Sequence, residues 1–326
     1  MRYEIVATLG PASREEQSWR AMLAAGASAF RLNTSHLSLA ELDAWLERLT
    51  PFLNGQGRPV PLALDLQGSK WRLGQMDPLL LEEGRRVTLA LAEQSSDPQV
   101  LPVPHADFFK AAQRSDGVVV LNDAKARFQV EQAGESEASA VVTMAGPVAG
   151  RKGITVPNSD YRVEALSGKD RAIIKRARGL PFARFAVSYI KDAGEMRRYR
   201  ELFGPGAYLI AKLERPGAVI EAREACAWCD ELWLCRGDLG AEAGLAGMAK
   251  LAHAFGAEVR ALPRPALIAG QVFEHMTHNP TPTRAEVCSL YDALAEGYRG
   301  AVLSDECAIG LRPVEAARAA AMFLED

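Results

Sequence analysis

No stretch of this 326-residue sequence stays apolar for the roughly 18 to 20 residues that a membrane-spanning helix needs, so no transmembrane segment is expected. A basic excess is missing as well. Lys and Arg number 38 against 41 Asp and Glu, a formal charge of −3, which argues against a nucleic-acid binder. The opening residues, MRYEIVATLG, enter a strand pattern with no charged leader, apolar stretch or small-residue cleavage site, so no signal peptide is expected. Cysteine is scarce: five residues, an odd number, point to reduced thiols and a cytoplasmic location. Cys226 and Cys229 form a CxxC in EACAWCDELW, but no second pair follows to complete a metal or redox motif, and packing is the expected role. Long repeats, low-complexity tracts and heptads are absent too.

What is present is a regular alternation of short apolar runs with amphipathic stretches. The runs EIVATLG, SAFRLNTS, VPLALDLQG, FARFAVSYI, AYLIAKLE, ELWLCRGD, PALIAGQVF and GAVLSDE read as strands. Between most of them lie helical patterns: EEQSWRAMLAAG, SLAELDAWLERLTPFL, SGKDRAIIKRARG, AGEMRRYRELFG, AVIEAREACAWC, GMAKLAHAFGAEVRAL and RAEVCSLYDALAEG. Eight βα units predict an α/β chain closed into a TIM (β/α)8 barrel, whose usual size of about 250 residues fits once one insertion is set aside. That insertion, residues 71–151 after the third strand, shows short strands and turn punctuation and no convincing long helix. The expected organisation is therefore a barrel over 1–70 and 152–326, with a small β-rich lid domain over 71–151.

The polar residues collect at the ends of the strands. Lys212 and Glu214 are two apart in IAKLE, so an ammonium and a carboxylate project from one strand face, and Asp238 follows the next apolar run. Arg31, Asn33 and Ser35 alternate in FRLNTSH with His36 just beyond, and Asp65 ends the third strand ahead of Gly68, Lys70 and Arg72. Barrel active sites sit at the C-terminal ends of the strands, so this set marks a site for a divalent cation and an anionic substrate. His275 and His278, three apart, could suggest a zinc pair, but no third ligand is near and hydrogen-bonding roles are expected. Trp19, Trp45 and Trp228 fall on amphipathic helices and read as packing residues.

At these segments the sequence resembles the pyruvate kinase family. IVATLGPAS, FRLNTSH, LDLQGSKWR, RKGITVP, the spacing in ALSGKD, IAKLE, CRGDLG, NPTPTRAEV and GLRPVEA follow in the family's order along nearly the whole chain. The resemblance implies a barrel with an inserted B domain, as the periodicity indicates independently. It implies Glu214 and Asp238 as ligands of Mg²⁺ or Mn²⁺, with Lys212, Arg31 and Arg72 as catalytic cations around the phosphoryl group. It further implies Asn33, Ser35, Asp65 and the Leu66 carbonyl as ligands of an optional K⁺, His36 and Lys152 on the nucleotide side, and Gly237, Gly270 and Ser304 in substrate binding. Arg284 and Glu286, in TPTRAE, resemble a family segment that orders a loop, and a structural role is expected.

The sequence departs from the family's pattern in several places. Gly270 stands in IAGQVFEHM where the family has a threonine hydroxyl beside the enolate; Ser304, Asp305, Glu306 and Cys307 replace SGET; Asn122, Asp123 and Ala124 replace Asp-Asp-Gly. The family's C-terminal effector domain is matched by no segment. Three functions follow. The first is phosphoryl transfer between phosphoenolpyruvate and ADP, or between ATP and pyruvate. The second is a metal-dependent lyase, decarboxylase or aldolase of another 2-oxo acid at the same enolate site. The third is a catalytically silent, metabolite-binding barrel. The expected partners are these small molecules, with neither nucleic acid nor membrane, and a homo-oligomer is left open.

Overall fold

In the computed structural model, residues 1–325 are described apart from Asp123, Asn158, Asp160, Tyr161 and Glu164. The chain separates into two compact units: Met1–Gly68, Leu166–Arg236 and Ala249–Asp326 form the first, and Ser69–Ala165 with Gly237–Met248 the second. The stretch 71–151 read as an insertion lies inside the second unit. Asp123, singled out in the sequence, lies outside the described residues.

The first unit is a closed barrel of eight parallel strands. They run Glu4–Leu9, Ala29–Asn33, Leu62–Leu66, Ala183–Val187, Tyr208–Leu213, Glu231–Cys235, Ala266–Ala269 and Gly300–Leu303, each at one of the apolar runs read in the sequence. The first pairs with the eighth, Glu4 opposite Gly300, and closure leaves no open edge. The third and sixth strands are buried along their whole length, because helices cover one face and the barrel interior the other. Inside, Ala29, Ala63 and Ala186 share a cluster with Ile210, Trp233 and Leu267. Small side chains there leave the volume that the Trp233 indole fills at interior packing density. At the strands' N-terminal ends a polar plug closes the barrel: Arg184 donates to Glu4 at 3.0 Å and to Glu231 at 3.1 Å, and Glu231 also accepts from Tyr208 and Trp233.

Local sequence sets the helix starts. Ser38 with Glu41, Ser167 with Asp170 and Thr283 with Glu286 each form a reciprocal capping box, which satisfies amide groups that the first helical turn leaves without partners. Glu286 thus has the structural role expected of it. Trp19 packs edge-on against Phe52 at 5.3 Å and lies 6.0 Å from Trp45, so both tryptophans fill the space between barrel and helices. Cys226 and Cys229 are buried free thiols. Two helical patterns are interrupted. AVIEAREACAWC gives Pro216–Ile220 and Ala222–Ala225, separated where Glu221 leaves the helical region (φ −94°, ψ 20°). The run Arg236–Val259 is broken at Gly244 (φ 68°, ψ 164°), a conformation that glycine adopts without steric cost. At the end of the first barrel segment, Gly68 has φ +60°, and a Cβ built on it would lie 2.1 Å from the Ser188 carbonyl oxygen.

In the second unit, a six-stranded sheet has the order Ile154–Thr155, Val118–Leu121, Ala126–Ala133, Glu137–Met144, Arg86–Ala90 and Val100–Pro102. A two-stranded sheet pairs Leu79–Leu81 with Gly146–Val148. The unit also contains a helix, Ala106–Arg114, that the strand-by-strand reading passed over. Its Phe108 and Phe109 are fully buried and, with Trp71 and Phe128, build a separate core. Among the described residues, no helix is long and apolar enough to cross a membrane.

Candidate active site

Two cations and two carboxylates interlock at the C-terminal ends of the second to fifth strands of the first unit. Arg31 grips one oxygen of Asp65 through Nε at 2.7 Å and Nη2 at 2.6 Å, and its Nη1 donates to Thr8 at 2.9 Å. The other Asp65 oxygen accepts from Ser188 at 3.0 Å and Lys212 at 3.1 Å. Lys212 uses its remaining donors on Ser188 Oγ at 2.8 Å and Glu214 Oε1 at 2.9 Å. The second Glu214 oxygen accepts the Tyr189 amide at 2.6 Å. Tyr189 takes a left-handed conformation, φ +64°, which costs a non-glycine residue roughly 1 to 2 kcal/mol. Strand register explains the assembly: Asp65 lies opposite Asn33 on one side and Ala186 on the other, placing Ser188 just beyond.

The electrostatics follow from burial and charge together. Burial alone would raise the pKa of Asp65, but Lys212 and Arg31 outweigh it and hold the carboxyl at about 2. Burial would lower that of Lys212, yet Asp65 and Glu214 reverse the effect, and the ammonium stays protonated well beyond the usual lysine range. Arg31 is raised in the same way, by Asp65 against burial. The Lys212 ammonium thus has three contacts, to Asp65, Ser188 and Glu214.

The remaining expected residues of this unit each have their own local partners. Asn33 is half-buried and its side-chain oxygen accepts the Ser35 amide at 3.3 Å; Ser35 is buried, and its carbonyl accepts from Lys169 at 3.4 Å. His36 is exposed, and Leu66 is fully buried in the third strand. Gly270 follows the seventh strand with φ +83°, its carbonyl accepting from Arg236 at 3.0 Å. Ser304 is half-buried, and its amide donates to Glu306 at 2.8 Å. Glu306 also accepts the Phe273 amide, and burial raises its carboxyl to about 7. His275 makes a hydrogen bond between Nδ1 and the Thr281 carbonyl at 2.9 Å, in keeping with a local role.

In the second unit, Asp238 occupies the first turn of its helix beside Gly237 and forms an ion pair with Lys70. Arg72 donates through Nη1 to the Arg151 carbonyl at 2.8 Å, while its buried Nε has no hydrogen-bond partner among the described residues. The Arg72 amide donates to His105 Nε2 at 3.1 Å, and burial lowers the pKa of that imidazole. Lys152 lines an open pocket of about 360 Å³ with Leu79, Leu80, Asn122, Pro147 and Val148.

A family model described as pyruvate kinase, barrel domain, matches residues 1–317. The chain belongs to the pyruvate kinase family. It is similar to a pyruvate kinase of Methylorubrum extorquens, 32% identical over 317 residues that cover 97% of this chain and 66% of the relative. It is likewise 31% identical over 321 residues to one of Thermococcus litoralis, covering 96% of this chain and 66% of the relative. The chain thus spans 66% of the length of these relatives. A crystal structure of a pyruvate kinase from Cryptosporidium parvum matches with a TM-score of 0.81 at 22% identity, over 98% of this chain and 67% of that one, a likeness of fold.

Among the described residues no group of three or more His, Cys, Asp or Glu side chains is disposed to hold a metal. The donor chemistry of the expected ligands nonetheless fits a hard cation. Glu214 and Asp238 are carboxylates, the oxygen donors that Mg²⁺ and Mn²⁺ take, and sites for these ions commonly use one or two protein carboxylates completed by substrate oxygens and water. Sequence reasoning missed Thr8, Ser188 and Tyr189. The first two are hydroxyls at strand ends, and only that position could have drawn attention to them.

Proposed function

We propose that this chain is a phosphotransferase of the pyruvate kinase type, acting on phosphoenolpyruvate with ADP, or on pyruvate with ATP. The observation that carries the reading is the Lys212 ammonium, buried and held by Asp65, Ser188 and Glu214. Phosphoryl transfer asks a protein chiefly to position groups and to neutralise charge spread over oxygens, and a preorganised cation does both without reorganising during reaction. Arg31, fixed on Asp65 and Thr8, serves the same end. The four charges of this core sum to zero, so a polyanionic substrate needs further positive charge. A bound Mg²⁺ or Mn²⁺ would supply it as a Lewis acid, and the assignment of Glu214 and Asp238 as its ligands is part of the proposal.

Arg72 takes phosphate oxygens in this reading, which its buried Nε, without a partner among the described residues, supports. His36 and Lys152 serve the nucleotide, Gly237, Gly270 and Ser304 the three-carbon acid, and Asn33, Ser35, Asp65 and Leu66 a K⁺ ion. The test is pyruvate release from phosphoenolpyruvate by the pure protein with Mg²⁺ or Mn²⁺. Release that depends on ADP is expected, and no ADP-dependent release with either metal rejects the reading.

Gly270 favours one alternative. Its position carries no hydroxyl to assist proton delivery, which suits cleavage or decarboxylation of a 2-oxo acid at the same site. Pyruvate formed from oxaloacetate without nucleotide would select that reading over the first.

A further inference from the structure

Asp238 and Glu242 are four residues apart on one helical stretch and so share a face. Each meets a cation from residues 69–165 of the same unit, Lys70 at Asp238 and Arg162 at Glu242, the latter with Nη2 at 3.6 Å and both side chains nearly inaccessible. Arg162 is itself fixed. Its Nη1 donates to the Ser69 carbonyl at 2.9 Å, and its guanidinium lies 3.7 Å from the centroid of the Trp71 ring. Trp71 is anchored in turn by donating to Asp107 at 3.0 Å. Beyond Glu242 the helix breaks at Gly244. Residues 237–243 are therefore a short helical piece, ended by a glycine and clamped along one face, and they group with residues 69–165 in one compact unit.

We infer that Arg162 is a positioning residue for Asp238. A helical piece this short can rotate about its axis unless a second point on the same face is held. The Arg162–Glu242 pair supplies that point, so it fixes the direction in which the Asp238 carboxylate faces. A planar guanidinium that stacks on an indole and pairs with a carboxylate is suited to the task, since its fork geometry is fixed before contact. The inference rests on the proposal that Asp238 is a divalent-metal ligand. Partners that orient metal ligands from behind typically change metal affinity 10- to 100-fold when removed.

The test is Mn²⁺ binding to the full chain, read from the electron paramagnetic resonance signal of free Mn²⁺, together with hydrogen exchange of the 237–243 amides measured without metal. Arg162→Met is expected to weaken Mn²⁺ binding about tenfold or more and to speed exchange in that segment. Glu242→Gln is expected to do the same, and the double variant to be no worse than the Arg162 single, because both changes break one link. Arg162→Lys should recover part of the affinity. Should Arg162→Met fail to fold, the nearly isosteric Glu242→Gln gives both readouts. Wild-type affinity and wild-type exchange in a folded variant overturn the inference. If the wild-type chain itself takes up no Mn²⁺, the metal reading falls, and the metal-free exchange experiment still decides whether Arg162 holds the Asp238 segment.

Discussion

Arg31 places two of its nitrogens on a single oxygen of Asp65, at 2.7 and 2.6 Å, leaving the other oxygen to Lys212 and Ser188. One carboxylate therefore holds together two cations that would otherwise repel. Asp65→Ala should leave both buried cations short of a partner and destabilise the chain by about 3 to 5 kcal/mol, measured by urea unfolding.

The acid limb of stability should reflect the same residue. The Asp65 carboxyl is held at about 2 against an ordinary 3.8, so the folded state favours its ionised form. Its contribution is full above pH 3.8 and is lost as pH falls through about 2. Unfolding free energy measured across that window should fall on acidification, and Asp65→Asn should remove this component of the slope.

Glu231 and Glu306 should act in the opposite sense. Burial raises both carboxyls from 4.5 to about 7, so the folded state holds their protons more tightly than the unfolded chain. Their contribution is present below pH 4.5 and is lost as pH rises through about 7. Thermal unfolding should therefore show a decline in stability between these values, and Glu231→Gln should shallow it.

Ser188 accepts from Lys212 and donates to Asp65. Ser188→Ala should cost about 1 kcal/mol of stability and lower kcat about fivefold, the rate equivalent of one net hydrogen bond. KM for the acid should change less, since Lys212 keeps its charge. Steady-state kinetics of the folded variant check the split.

Restoring a threonine at Gly270 should not simply restore a hydroxyl. The residue sits at φ +83°, where a β-branched side chain is strained, and Gly270→Thr should lower stability by at least about 1 to 2 kcal/mol. A fall in melting temperature with no gain in phosphoryl transfer is the expected result.

The strands and the charged core were legible because each has a local signature. Alternating and continuous apolar runs located all eight barrel strands, and the i, i+2 spacing of Lys212 and Glu214 put both at one strand end. Ser188 and Thr8 were not legible, since a hydroxyl at a strand end means little until register shows what lies across from it. The partners of the Asp65 side chain, Arg31, Lys212 and Ser188, come from three other strand ends and so were not legible in sequence spacing. The breaks at Glu221 and Gly244 depend on backbone angles, and the helix at Ala106–Arg114 was too short to stand out among strand patterns.

Gly68 links the exit of the chain from the barrel to the Lys212 cluster. An added methyl there would collide with the carbonyl of Ser188, whose hydroxyl seats the Lys212 ammonium. Crowding at that corner would be transmitted along one residue to that cation. Gly68→Ala should therefore lower stability through a backbone clash and, in the fraction that folds, displace the hydroxyl that seats Lys212.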